Sequence, residues 1–156
     1  MYKIEIKWAI IFTLMMLTWM YIEKLAGLHD EHIDLHYIYT NIVAILAIMI
    51  YVFALLDKRK NYYKGVMTYG QGFVSGLIIT IIVTIFSPLV QYITSTIITP
   101  DYFTNIIAYS VREGLMNQAE AEEYFNLNSY LLQVIIATPV MGISTTAIVA
   151  IFTTKK

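Results

Sequence analysis

All three histidines of the chain fall in one short stretch, "HDEHIDLH" from His29 to His36, interleaved with Asp30, Glu31 and Asp34. Imidazole and carboxylate are among the side chains that hold zinc-class cations. If the stretch were helical, His29, His32 and His36 would stand at i, i+3 and i+7 on one face, a spacing that suits a metal. The alternative is a short polar connection whose histidines only titrate near neutral pH. No familiar zinc signature accompanies them, so no metal site is assigned and no cofactor is expected.

A second pattern lies in "GQGFVSGLIITIIVTIFSPLVQYITS", Gly70 to Ser95. Gly72, Gly76, Thr80, Thr84, Ser87, Gln91 and Ser95 recur every three or four residues, and on a helix they form one stripe about 140° wide. Between helices in lipid, small residues let backbones approach and hydroxyl or amide groups bond across the contact. The stripe therefore reads as a packing face, used within the chain or between two copies. A solvated pathway is the third reading, although no ionisable residue lies along it. Pro88 here and Pro139 near the C-terminus each remove a backbone donor, freeing the carbonyls of Thr84 and Ile135. Thr84, Ser87 and Thr138 are placed to satisfy the freed groups. Kinks at matching depth would adjust packing or open a cavity in the outer half of the bilayer.

The elements that position these residues are membrane spans. Of 156 residues, 58% are hydrophobic and 13% charged, outside the range of soluble domains. Four apolar runs, at about 8–28, 37–56, 73–98 and 130–152, each reach the ~20 residues needed to cross a hydrocarbon core. The second contains "IVAILAIMIYVFALL", with no charge at all. The first has too long an apolar stretch for a cleaved signal peptide and is expected to be retained. Glu23 and Lys24 near its outer end read as side chains that reach the interface. Trp8, Tyr37, Tyr39, Tyr69, Tyr92 and Tyr130 read as interfacial anchors. The expected fold is an all-α membrane protein with four transmembrane helices and a short extracytoplasmic helical segment between helices 3 and 4.

Charge sets the direction. Lys3, Lys7, Lys58, Arg59, Lys60, Lys64, Lys155 and Lys156 lie on one side, with only Lys24 and Arg112 on the other. The second side carries Asp30, Glu31, Asp34, Asp101, Glu113, Glu120, Glu122 and Glu123. The positive-inside rule places both termini in the cytoplasm and makes the exterior acidic. Within the outer loop 99–129, Pro100 suits a first helical position, Gly114 a helix stop, and Asn117 with Glu120 a capping box. Two short surface helices are expected there.

The basic inner loop "DKRKNYYKGVMTYGQG" is explained by topology and anionic headgroups, so no nucleic-acid partner is expected. With no cysteine, disulfides, thiolate metal sites and a cysteine nucleophile are excluded. There is no phosphate loop, no nucleophile elbow and no pair of carboxylates within the membrane, so an enzyme is not expected.

The segment "LLDKRKNYYKGVMTYGQGFVSGLIIT" and the later "TPDYFTNI" resemble the pattern of the bacterial four-span membrane family catalogued as domain of unknown function 4199. Gly65, Thr68, Gly72 and Gly76 are the positions that match. The resemblance implies a bacterial cytoplasmic-membrane protein with no assigned activity, and it carries over no catalytic residue. The expectation is a structural or accessory component of a membrane or envelope assembly, in contact with the lipid bilayer and with a second copy or another membrane protein. The alternative is a small transporter or channel subunit with an outward-facing cavity near Pro88 and Pro139.

Overall fold

Residues 2–155 are described by the computed structural model; Met1 and Lys156, the latter among the lysines assigned to the inner side, lie outside the described residues. The chain is helical throughout: α1 (Lys3–Leu25), α2 (Ile33–Tyr39), a 3-10 turn (Thr40–Ile42) leading into α3 (Val43–Asn61), α4 (Tyr69–Ile93) with a π-helical turn (Thr94–Ile98), α5 (Tyr102–Arg112), α6 (Gln118–Tyr124) and α7 (Leu127–Thr153). Four stretches are long and apolar enough to cross a membrane: Lys3–Leu25, Ile33–Asn61, Tyr69–Ile98 and Leu127–Thr153. Ile10, Leu14, Ile45, Ile85, Ile136, Ile148 and Phe152 are exposed on the outside of the bundle. A broad apolar exterior of this kind is what a lipid-facing surface requires.

The helix ends follow local chemistry more closely than hydropathy. Helix α1 stops at Leu25 because Gly27 adopts φ +72°. Its N–H bonds Lys24 O at 3.0 Å while Leu28 N–H bonds Glu23 O at 3.0 Å, the paired bonds of a Schellman turn. Helix α4 opens on a capping box in which Thr68 and Gln71 bond each other's backbone, and α7 opens on Asn126, whose side chain accepts from Ser129 N–H at 2.9 Å. Helix α6 begins with the Asn117–Glu120 capping box that the sequence predicts. Gly114 ends α5 in a second Schellman turn, with Leu115 N–H on Ser110 O at 2.9 Å. Pro100 differs from expectation. It sits in the turn before α5, whose cap is Asp101 and whose first residue is Tyr102.

The most extensive helix contact is α4 with α7; α1 packs on α4 and α3, and α3 packs on α7 and α4. Two features hold the C-terminal end of the chain to α3 and the α3–α4 loop at one end of the bundle. Met67 and Lys155 form an isolated antiparallel bridge, and Arg59 donates to Thr153 O at 2.8 Å. This is the basic end. The opposite end, formed by the His29–His36 segment, the π-helical turn, α5 and α6, is the acidic one.

Candidate functional site

The predicted stripe on α4 packs closely against α7. A methyl group placed on Gly76 would overlap Thr146 of α7, lying 2.7 Å from its Oγ1, and one placed on Gly142 of α7 would overlap Thr80, 2.6 Å from its Oγ1. Each helix thus sets a threonine into the space left by the other's glycine. Gly72 continues the seam, its position facing Ala150 at ordinary contact distance. Thr80 Oγ1 donates to Gly76 O at 3.0 Å and lies 2.8 Å from the hydroxyl of Tyr51 on α3. The Tyr51 contact ties α3 to α4 at the level where α4 packs on α7.

Farther along, Ser87 and Gln91 bond locally, whereas the Thr84 hydroxyl, expected to satisfy a freed backbone group, is buried without a hydrogen-bond partner. Helix α4 runs through Pro88, and Ser87 Oγ donates to Thr84 O at 2.9 Å, the carbonyl that the proline frees. Gln91 Nε2 donates to Ser95 Oγ at 2.9 Å. Helix α7 likewise runs through Pro139. Two surface cavities stand out, and neither is lined by Pro88 or Pro139. One of about 840 Å³ is lined by Asp30, Glu31, Asp34, Asn105, Arg112 and Glu113 among others; one of about 470 Å³ is lined by Met116, Glu120, Glu123, Tyr124 and Ser129. Both lie at the acidic end.

Two buried carboxylates on α1 are the main surprise. Glu5 and Glu23 are each 1% exposed, and at 1.5 Å per residue they are roughly 27 Å apart along the helix. That is close to the hydrocarbon thickness of a bilayer.

Glu5 sits at the basic end. Its Oε1 pairs with Lys58 Nζ of α3 at 2.8 Å and accepts from Ser75 Oγ of α4 at 2.8 Å. Lys58 is 3% exposed, and its ammonium lies 3.7 Å from the centre of the Tyr62 ring, within cation–π range. Beside this group, Trp8 Nε1 donates to Asp57 Oδ2 at 2.7 Å and Lys7 pairs with the same oxygen. Glu5 and Asp57, the acidic residues of the basic end, are thus both matched by a cation.

Glu23 sits at the acidic end and meets imidazoles instead. The Gly27 turn brings the chain back over the end of α1, and α2 then runs past it. His29 Nε2 lies 3.2 Å and His36 Nε2 3.6 Å from Glu23 Oε2. Trp19 Nε1 donates to the other oxygen, Oε1, at 2.5 Å. Tyr102 of α5 covers the group, its ring centre 5.2 Å from that of His29 and 5.4 Å from that of His36. Burial pushes the Tyr102 phenol far above its ordinary range, with Tyr130 and the carboxylate of Glu23 adding to the effect. Asn105 Nδ2, also on α5, donates to His29 O at 3.0 Å.

Of the three histidines singled out by spacing, the structure brings together His29 and His36 but not His32. Residues 26–32 form turns and α2 starts at Ile33, so the helical i, i+3, i+7 face does not form and His32 is exposed. Glu23 was read as an interfacial side chain and proves to be the centre of the cluster. The available signal was Gly27, whose stop after α1 forces the following histidines back onto the helix end. Trp8 and Tyr130, read as interfacial anchors, are half-buried and packed inward, Trp8 against Asp57 and Phe53 and Tyr130 against Tyr102 and Phe103. Tyr37, Tyr39, Tyr69 and Tyr92 are exposed.

The family model described as "Protein of unknown function (DUF4199)" matches residues 7–155 of the chain. No curated protein and no solved structure gives a significant match.

Proposed function

The chain belongs to the DUF4199 family of proteins of unknown function, and we propose that it serves as a non-catalytic accessory component of a bacterial cytoplasmic membrane, with both termini in the cytoplasm and the acidic end outside. The observation that carries this reading is the contrast between its two halves. The transmembrane half spends its small and polar residues on internal seams, Gly76 with Thr146 and Thr80 with Gly142, while the acidic end keeps an open groove lined by Asp30, Glu31, Asp34, Asn105, Arg112 and Glu113. The segregation of lysine and arginine supports the orientation. The groove is where a membrane-protein partner or a second copy would dock, beside the lipid bilayer that holds the bundle.

The accessory role is preferred to a transporter or channel subunit because Ser87 and Gln91 bond locally, within α4 and to its π-helical turn, and the two cavities described are at the acidic end. The test is photo-crosslinking in native membranes from a benzophenone amino acid at Ala108, which lines the groove, compared with one at exposed, apolar Ile136. A discrete protein adduct from position 108 and only lipid from position 136 supports the proposal. Adducts to lipid alone at both positions, with solute-dependent protection of a Ser87→Cys variant, would replace it with the transporter. Reporter fusions after Asn61 and after Gly114 test the orientation: the first must be cytoplasmic and the second external.

A further inference from the structure

We infer that Glu23, His29 and His36 form a binding site for a divalent cation of the zinc class, which pins the His29–His36 segment to the end of α1. The inference stands independently of the accessory role. Each of the three residues offers one ligand atom, and these atoms all lie within 4.8 Å of one another. Around a tetrahedral ion with bonds of about 2.0–2.1 Å, neighbouring ligand atoms lie about 3.3–3.4 Å apart. The separations from Glu23 Oε2 to the two Nε2 atoms, 3.2 and 3.6 Å, bracket that value. The third separation, between the two imidazoles, is within 4.8 Å, so the three groups converge on one point that a shared cation could occupy.

The chemistry of the donor set selects the ion. Two imidazoles with one carboxylate suit Zn²⁺ and its borderline neighbours, whereas Ca²⁺ and Mg²⁺ demand six or more oxygens or a largely hydrated shell. Burial sharpens the requirement. Glu23 and His29 are 1% and 4% exposed, and a buried carboxylate needs a compensating charge. At the basic end Lys58 supplies that charge to Glu5; Lys24, the basic residue adjacent in sequence to Glu23, is exposed. A divalent ion between Glu23 and the imidazoles would be the counterpart of Lys58.

Surrounding contacts orient the donors. Trp19 holds Oε1 of Glu23, which leaves Oε2 directed at the imidazoles, and Asn105 anchors the backbone of His29. Support of this kind tunes ligand direction and affinity. With three protein ligands and His29 Nδ1 buried without an outer-shell partner, the expected affinity is weaker than that of a closed structural zinc centre. Asn105 also lines the acidic groove. Occupancy of the site would therefore fix one wall of that groove.

The test uses the full chain purified in detergent, stripped with chelator, and titrated with Zn²⁺ and with Co²⁺. The expected result is about one equivalent of Zn²⁺ retained per chain and visible Co²⁺ absorption of tetrahedral intensity. His36→Ala, at the more exposed ligand, should weaken binding at least about tenfold, and His32→Ala should leave it unchanged. Far-UV circular dichroism and gel filtration verify that each variant is folded. Glu23→Gln, should it fold, must lose the ion as well. Absence of a Co²⁺ signal from the wild-type chain, or equal affinity in folded His36→Ala, would overturn the site and leave a hydrogen-bonded carboxylate–imidazole cluster.

Discussion

Glu5 and Glu23 are equally buried on the same helix, yet their surroundings differ in kind. Glu5 faces a lysine ammonium and a serine hydroxyl supplied by α3 and α4, so its charge is met by the protein itself. Glu23 faces a tryptophan N–H and two imidazoles, donors that are uncharged in their neutral forms. One end of the bundle is closed by a fixed pair; the other is built around groups that can share an exchangeable cation. A buried ion pair is costly to assemble and costlier to break by halves. That asymmetry makes the basic end a lock and the acidic end the place where a bound species can act.

The largest effect should come from breaking the lock on one side only. Lys58→Met leaves Glu5 buried without its cation and is expected to cost about 3–5 kcal/mol, read as a loss of thermal stability in detergent or bilayer. The double variant with Glu5→Leu should recover most of that loss, because a matched apolar replacement of a buried pair is often neutral or better. A double variant as unstable as Lys58→Met alone would show that the pair contributes more than charge compensation.

The α4–α7 seam comes next. Gly142→Ala drives a methyl into Thr80 and should cost about 1–3 kcal/mol; adding Thr80→Ser should relieve part of the overlap. Tyr51→Phe removes only the hydroxyl contact to Thr80 and should cost about 0.6 kcal/mol, the average for such bonds in membranes. Smallest of all is Arg112→Ala, which breaks an exposed contact with Glu113 and should stay within about 0.5 kcal/mol. If Arg112→Ala weakened partner capture while leaving stability intact, it would assign the groove a binding role.

Much of the fold was legible because lipid imposes few solutions. Uninterrupted apolar runs must be helices, Asn117 with Glu120 must cap one, and Gly114 must end one; all of these appear. Gly72, Gly76 and Thr80 were legible as a contact face, but their partner was not. Gly142 and Thr146 repeat the Gly-xxx-Thr spacing of Gly76 and Thr80 on α7, and a spacing within one helix does not state which neighbour it meets. The helices run beyond the apolar stretches, α1 beginning at Lys3 and α3 continuing to Asn61. Glu5 and Lys58 look like solvent-facing charges when taken one at a time, and only the packing of α1 on α3 brings them together as a buried pair. The histidine cluster was half legible: His29 and His36 do come together, but on Glu23 and not on a helical face with His32, because Gly27 turns the segment.

Hydrogen exchange monitored by mass spectrometry, on the full chain in detergent with Zn²⁺ and with chelator, tests the difference between the two ends most directly. The account predicts that removing the ion raises exchange in residues 27–36 and in the facing part of α5, while residues 3–9, 54–62 and 69–76 around Glu5 keep their protection. Equal exchange in both states, or a loss of protection spread evenly over both ends, would contradict it.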